Sequence, residues 1–183
     1  RSSALELAKE AGAQVVAVTS GGALLVEASR EGFGYVRIPG GMPPRAALAY
    51  SFVPLFRLFD YLGLVDEGEE ALLETAEMLT SQVELLSDVE NSQALDIARD
   101  IQDTLPIIYT GPGLMEPVGL RWRGQFEENS KILAYGNTIP EMNHNEIVGW
   151  EQIAHLTGRL SVLFLEDESD HPKVKQRKEI VRD

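Results

Sequence analysis

From residue 106 onward the chain alternates between short apolar runs and longer segments of helical periodicity. PIIYTGPG (106–113) reads as a buried strand entering a glycine turn, and MEPVGLRWRGQFEENSK (115–131) as a helix. ILAYGN (132–137) reads as a second strand, NEIVGWEQIAHL (145–156) as a second helix ended by Gly158, and LSVLFLED (160–167) as a third strand. Parallel strands need a crossover connection, and each crossover helix must bury its apolar stripe against the sheet. The alternation therefore predicts an α/β fold, a parallel β-sheet with helices on both faces.

The first third carries the same signals. SSALELAKEAG is a helix closed by Gly12, QVVAVTS a β-branched strand, Gly21-Gly22 a turn, and GYVRIPGG (34–41) another short strand. RAALAYSFVPLFRLFDYLGL follows as a helix with Pro44 near its start, and Pro54 is expected to kink or break it. Leu48, Phe52, Leu55, Phe56 and Phe59 recur at helical spacing, the mark of a core stripe or a subunit interface. Residues 66–105 differ: two acidic amphipathic helices, parted by an Asn91/Ser92 start signal, link the two sheet-forming parts. The organisation expected is thus 1–65, 66–105 and 106–183. The chain opens at Arg1 inside a helical pattern and closes in KVKQRKEIVRD without a stop signal, so it is expected to be part of a longer protein.

Charge and composition narrow the chemistry. A net charge of −13 argues against a nucleic-acid partner, since phosphate recognition needs surplus Lys and Arg. An anionic substrate would need a locally positive or backbone-lined pocket. With no cysteine, disulfides, thiolate metal sites and a cysteine nucleophile are excluded, in keeping with a reducing cytoplasm. No apolar run reaches membrane-spanning length. No metal-type histidine pair, P-loop or G-x-G-x-x-G follows a strand, and the single GPG at 111–113 is equally ordinary loop chemistry.

Ligands of open parallel sheets bind beyond the carboxyl ends of the strands. His144, in the polar segment just after ILAYGN, sits at that edge; Glu128, at the end of the preceding helix, belongs to the opposite one. Two arrangements would reconcile them: an irregular helix end that bends toward a cleft, or a site shared by two subunits. Glu128 could equally be a solvated helix terminus, Asn143 or Asn145 could cap the following helix, and Glu141 and Glu146 read as surface or capping charges. Arg45, at a helix start after a glycine-rich strand end, could bind an anion or be an ordinary surface arginine.

ENSK, a strand and PEMNHNEIVGW together resemble the second sugar-isomerase (SIS) domain of the bifunctional phosphoglucose/phosphomannose isomerases. VVAVTSGGAL, a strand and PPRAAL resemble the closing part of the first SIS domain in the same family. The resemblance implies tandem SIS domains, each a flavodoxin-like three-layer α/β sandwich and incomplete here at both ends, in a cytoplasmic homodimer of carbohydrate metabolism with active sites near the subunit interface. It implies an aldose–ketose isomerase acting on glucose 6-phosphate and mannose 6-phosphate, with no metal or organic cofactor. Residue by residue, Glu128 would be the base that moves a proton between C1 and C2, His144 the ring opener, and Arg45 the substrate-binding cation. The family's S-x-S-G-x-T phosphate loop and its C-terminal lysine are not found in the sequence, so these 183 residues alone are expected to show no useful turnover. The alternative is a non-catalytic SIS module that senses a sugar phosphate.

Overall fold

Two parallel sheets, built from separate stretches of chain, organise the protein. The computed structural model describes residues 3–182, and these fall into two units divided near residue 83.

The first unit begins with α1 (Ala4–Glu10), whose N-terminus is closed by a reciprocal capping box between Ser3 and Glu6. Next come β1 (Val16–Thr19), α2 (Gly22–Glu31) and β2 (Gly34–Arg37). Strands β1 and β2 pair in parallel, with Val16 opposite Gly34. Helix α2 is the crossover between them, ended by Gly32 in the left-handed conformation; the sequence reading had left this segment unassigned. Lys9 lies 2.5 Å from Glu31 and 3.5 Å from Glu27, tying α1 to α2. A short 3₁₀ turn, Pro44–Ala46, leads into α3 (Leu48–Tyr61).

Helix α3 continues through Pro54, so the break that this proline could have marked is not there. Proline removes one rung of the ladder, and the turns on either side hold the helix together. The stripe on α3 is not core among the described residues: Phe52 is 52% exposed, Leu55 and Phe59 46% each. Helix α4 (Gly68–Ser87) follows, and the boundary between the units falls inside it.

The second unit opens with α5 (Gln93–Asp100), whose N-cap Ser92 accepts a hydrogen bond from the Leu95 amide, as the start signal predicted. Three parallel strands follow, β3 (Leu105–Thr110), β4 (Tyr135–Thr138) and β5 (Leu160–Leu165), in the spatial order β4-β3-β5. Between them run α6 (Met115–Gln125), α7 (Ile139–Asn145), α8 (Ile147–Gln152) and a 3₁₀ stretch, Ala154–Arg159; α9 (Pro172–Arg182) closes the chain.

Successive side chains of a strand point to opposite faces, and β3 uses both. Tyr109 packs with Ile139 and Met142 of α7 and Val174 of α9. Ile108 and Thr110 face the other way, toward Gly119 of α6. The predicted sheet with helices on both faces is therefore present here.

Strands β3 and β4 approach closely where Gly136 lies opposite Ile108. A Cβ at Gly136 would lie 2.6 Å from the Ile108 carbonyl oxygen, an atom the β3 backbone holds in place. We expect Gly136→Ala to destabilise this unit by about 3 kcal/mol, the upper range for overpacking, as read by urea unfolding. A change below about 0.5 kcal/mol would mean that β4 can shift freely past its neighbour.

Candidate active site

The helix that precedes Glu128 does not end regularly. After Gln125 the backbone opens into a single π-helical turn, Phe126–Ser130, stopped by Lys131 in the left-handed conformation at φ 59°. The sequence reading carried one continuous helix to Lys131, so this is a correction, and also the irregular end considered above. Such turns insert one residue per turn and are frequent at functional sites. Asn129 donates a side-chain hydrogen bond to Gln125 across the turn, and Arg123 Nε stands 3.8 Å from Glu127. Glu128 itself is exposed.

His144 lies beyond the carboxyl end of the strand, as expected, but on a helix and not in a loop. The chain re-enters helix immediately at the carboxyl end of β4, with Pro140 in the first turn of α7, and His144 falls in the last turn. The single helix read over 145–156 is instead divided at Glu146 into α7, α8 and the 3₁₀ stretch, which contains Gly158. Ile139 and Met142 are fully buried beneath α7, and His144 on its other side is exposed.

Within the chain Glu128 and His144 do not converge. Glu128 precedes the amino end of β4 and follows α6, on the Ile108/Thr110 face of the sheet. His144 lies beyond the carboxyl end of β4, on the helix that packs against the Tyr109 face. A four-residue strand separates them, about 13 Å of extended chain, and no hydrogen bond joins them. Arg45 belongs to the first unit, half-buried on the 3₁₀ turn Pro44–Ala46.

Sequence reasoning missed a buried polar network under the His144 turn. The Tyr109 hydroxyl, at the end of a side chain 1% exposed, donates to Glu146 Oε2 at 2.7 Å and accepts from Trp150 Nε1 at 3.1 Å. Asn137 Nδ2 donates to Glu146 Oε1 at 2.5 Å, and Asn137 Oδ1 accepts from the Thr138 amide at 2.8 Å. Burial, then the neighbouring Glu146 carboxylate, push the Tyr109 phenol well above its ordinary value, so it remains a neutral donor. Glu146, read above as a surface or capping charge, is the C-cap of α7 and is half-buried.

Beside the same sheet edge a cavity of about 390 Å³ opens between α6 and β4, lined by Thr110, Glu116, Arg123, Asn137, Thr138 and Glu141 among others. Among the described residues no group of three or more His, Asp or Glu side chains is arranged to hold a metal. No helix among them is long and apolar enough to cross a membrane.

Comparison with known proteins agrees with this architecture. The chain is 40% identical over 184 aligned residues to a bifunctional phosphoglucose/phosphomannose isomerase of Caldicellulosiruptor bescii, covering 99% of this chain and 54% of that protein. A protein of the same name from Aquifex aeolicus is 33% identical over 93% of this chain and 50% of its own length. For that of Thermoplasma volcanium the figures are 34%, 93% and 52%. The chain spans about half the length of the curated relatives it matches. Residues 90–183, which contain the parallel sheet of the second unit, the π-turn and α7, match the bacterial phospho-glucose isomerase C-terminal SIS domain, and the chain belongs to that family.

Proposed function

We propose that the protein containing this chain is an aldose–ketose isomerase that interconverts glucose 6-phosphate, and mannose 6-phosphate, with fructose 6-phosphate. The observation that carries this reading is the exposed carboxylate of Glu128 on a π-turn, within a chain so similar to relatives bearing that activity in their names. In domain terms, residues 1–65 would close a first SIS domain, 66–105 would link, and 106–183 would open a second.

The chemistry follows from the residue types. His144 as imidazolium protonates the ring oxygen O5 as the C1–O5 bond breaks, and the O1 proton leaves to water; the product is the open aldehyde. The Glu128 carboxylate then takes the proton from C2. The freed electron pair forms the C1=C2 double bond, and O1 becomes the enediolate oxygen. Arg45 is the cation assigned to that developing charge. A proton moves from O2 to O1, Glu128 returns its proton to C1, and C2=O2 forms the ketose. Glucose and mannose 6-phosphates differ only at C2 and share the planar enediol, so one base serves both where the pocket is loose enough for the C1–C2 unit to turn about C2–C3 and present either face.

The separation of Glu128 and His144 within one chain favours a homodimer in which two protomers each supply one of them. The exposed apolar stripe of α3 supports the same assembly. The reading also assigns the enzyme to cytoplasmic sugar metabolism.

The test uses the full-length protein expressed from the open reading frame that contains this chain. With glucose 6-phosphate or mannose 6-phosphate in D₂O, fructose 6-phosphate is expected to form from both, with solvent deuterium appearing at the transferred position. Tight binding of either sugar phosphate without turnover would instead identify a sensor and sink the isomerase reading.

A further inference from the structure

His144 is exposed, yet its backbone is fixed at both neighbouring turns. Two residues before it, Met142 is fully buried in the core against Tyr109, Ile139 and Val174. Two residues after it, Glu146 is bonded three ways: its amide donates to the Met142 carbonyl at 2.9 Å, and its carboxylate accepts from Tyr109 on β3 and Asn137 on β4. The segment is thus pinned to two strands of the sheet by one side chain. Flanking contacts add to this: Asn145 Nδ2 donates to Glu141 at 2.9 Å, and Arg177 of α9 approaches Asn143 Oδ1 at 3.5 Å.

A carboxylate is well matched to this place. Its two oxygens accept from two donors that come from different strands, Tyr109 and Asn137, so it measures the spacing between β3 and β4. Trp150 of α8 completes the phenol's bonding, which fixes α8 to the same point. Loss of the Glu146 oxygen facing Tyr109 takes away the phenol's acceptor, and loss of the other leaves Asn137 Nδ2 only the 3.5 Å contact with Asn145 Oδ1, both beside the junction of α7 and α8 that follows His144.

We propose that Glu146 is a positioning residue for His144, with Tyr109 and Asn137 as its anchors, so that the network sets where the imidazole stands for ring opening. The inference rests on the isomerase reading above. A misplacement of about 1 Å in a reacting group can cost about a hundredfold in rate, so a shifted helix end would be felt in turnover.

The test separates ring opening from proton transfer. Erythrose 4-phosphate carries its phosphate on O4 and cannot cyclise, so its isomerisation needs Glu128 but no ring opener. In the full-length enzyme, Glu146→Gln is nearly isosteric but sets an amide NH₂ against Asn137 Nδ2 or Tyr109. It is expected to lower kcat on glucose 6-phosphate about tenfold or more, with erythrose 4-phosphate within about twofold of the parent. The double variant Asn137→Asp/Glu146→Gln exchanges donor and acceptor, and is expected to regain most of the loss. His144→Ala serves as the reference and should show the same selective loss. Equal loss on both substrates, or none on either, in Glu146→Gln overturns the positioning role while leaving the isomerase reading intact. No turnover by the parent, or no selective loss in His144→Ala, overturns the ring-opening reading and the positioning role with it. Thermal melts of each variant show whether the fold is retained; a Glu146→Gln enzyme that is unfolded counts against the proposal unless the double variant restores both fold and selectivity.

Discussion

Glu128→Gln, made in the full-length protein, should reduce kcat on glucose 6-phosphate by about 10²–10⁴-fold, the range for loss of a positioned general base. KM should change little, because an amide of the same size keeps the contacts a carboxylate makes with a neutral sugar hydroxyl. It cannot take a proton from carbon, so deuterium incorporation should fall in parallel with turnover. Neighbouring Glu127 provides a control in the same turn: it is within 3.8 Å of Arg123 Nε, and Glu127→Gln is expected to leave activity within about threefold. If the two variants lose activity equally, the effect belongs to the turn and not to a base at 128. If Glu128→Gln retains full turnover, the assignment is wrong.

A second large effect is expected far from Glu128 in sequence. Lys178 of α9 and Asp170 are buried together, 2.7 Å apart with side chains 2% and 5% exposed, and the Lys178 ammonium also donates to the Leu165 carbonyl at 2.7 Å. These bonds clamp the segment after β5 to the end of its own strand. Asp170 in turn fills the space beside Gly111, where a Cβ would lie 2.0 Å from its Oδ1. Lys178→Met removes the cation and leaves a buried carboxylate with no counter-charge, which typically costs about 3–5 kcal/mol. For a unit of this size that is a fall in melting temperature of at least about 12 °C. Replacing both partners, Lys178→Met with Asp170→Leu, should recover much of the loss, since no charge then remains to be solvated. A single variant that melts within about 3 °C of the parent would show that water reaches Asp170 and that the pair contributes little.

Much of this architecture was legible because largely apolar strands announce themselves. Leu105–Thr110 and Leu160–Leu165 are apolar along their length and bounded by turns, and both form where the pattern put them. Helix α2 was hidden by Gly21 and Gly22: the pair was read as a turn only, although it opens directly into ALLVEASRE. In α7 the cue was present but slight, Ile139 and Met142 at helical spacing with Pro140 in the first turn; the asparagines drew the reading toward a loop. The π-turn had no local signature, since its residues suit an α-helix equally well. The anchoring of Glu146 was out of reach for a different reason. Its partner Tyr109 lies 37 residues away, and only the pairing of strands brings them together. Of the three proposed site residues, the sequence identified chemical types well suited to the reaction. It could not say that two of them stand on opposite faces of one sheet.

The widened turn at Phe126–Ser130 has a geometric corollary. Each residue of an α-helix advances the side chain by about 100°, so one additional residue rotates everything that follows by roughly that angle. Glu128, midway through the turn, is therefore displaced from the place that the regular screw of α6 would give it. Its position is encoded by residue count as much as by residue identity. Shortening the turn by a single residue would keep every proposed functional group in the chain and still move the acid off that position.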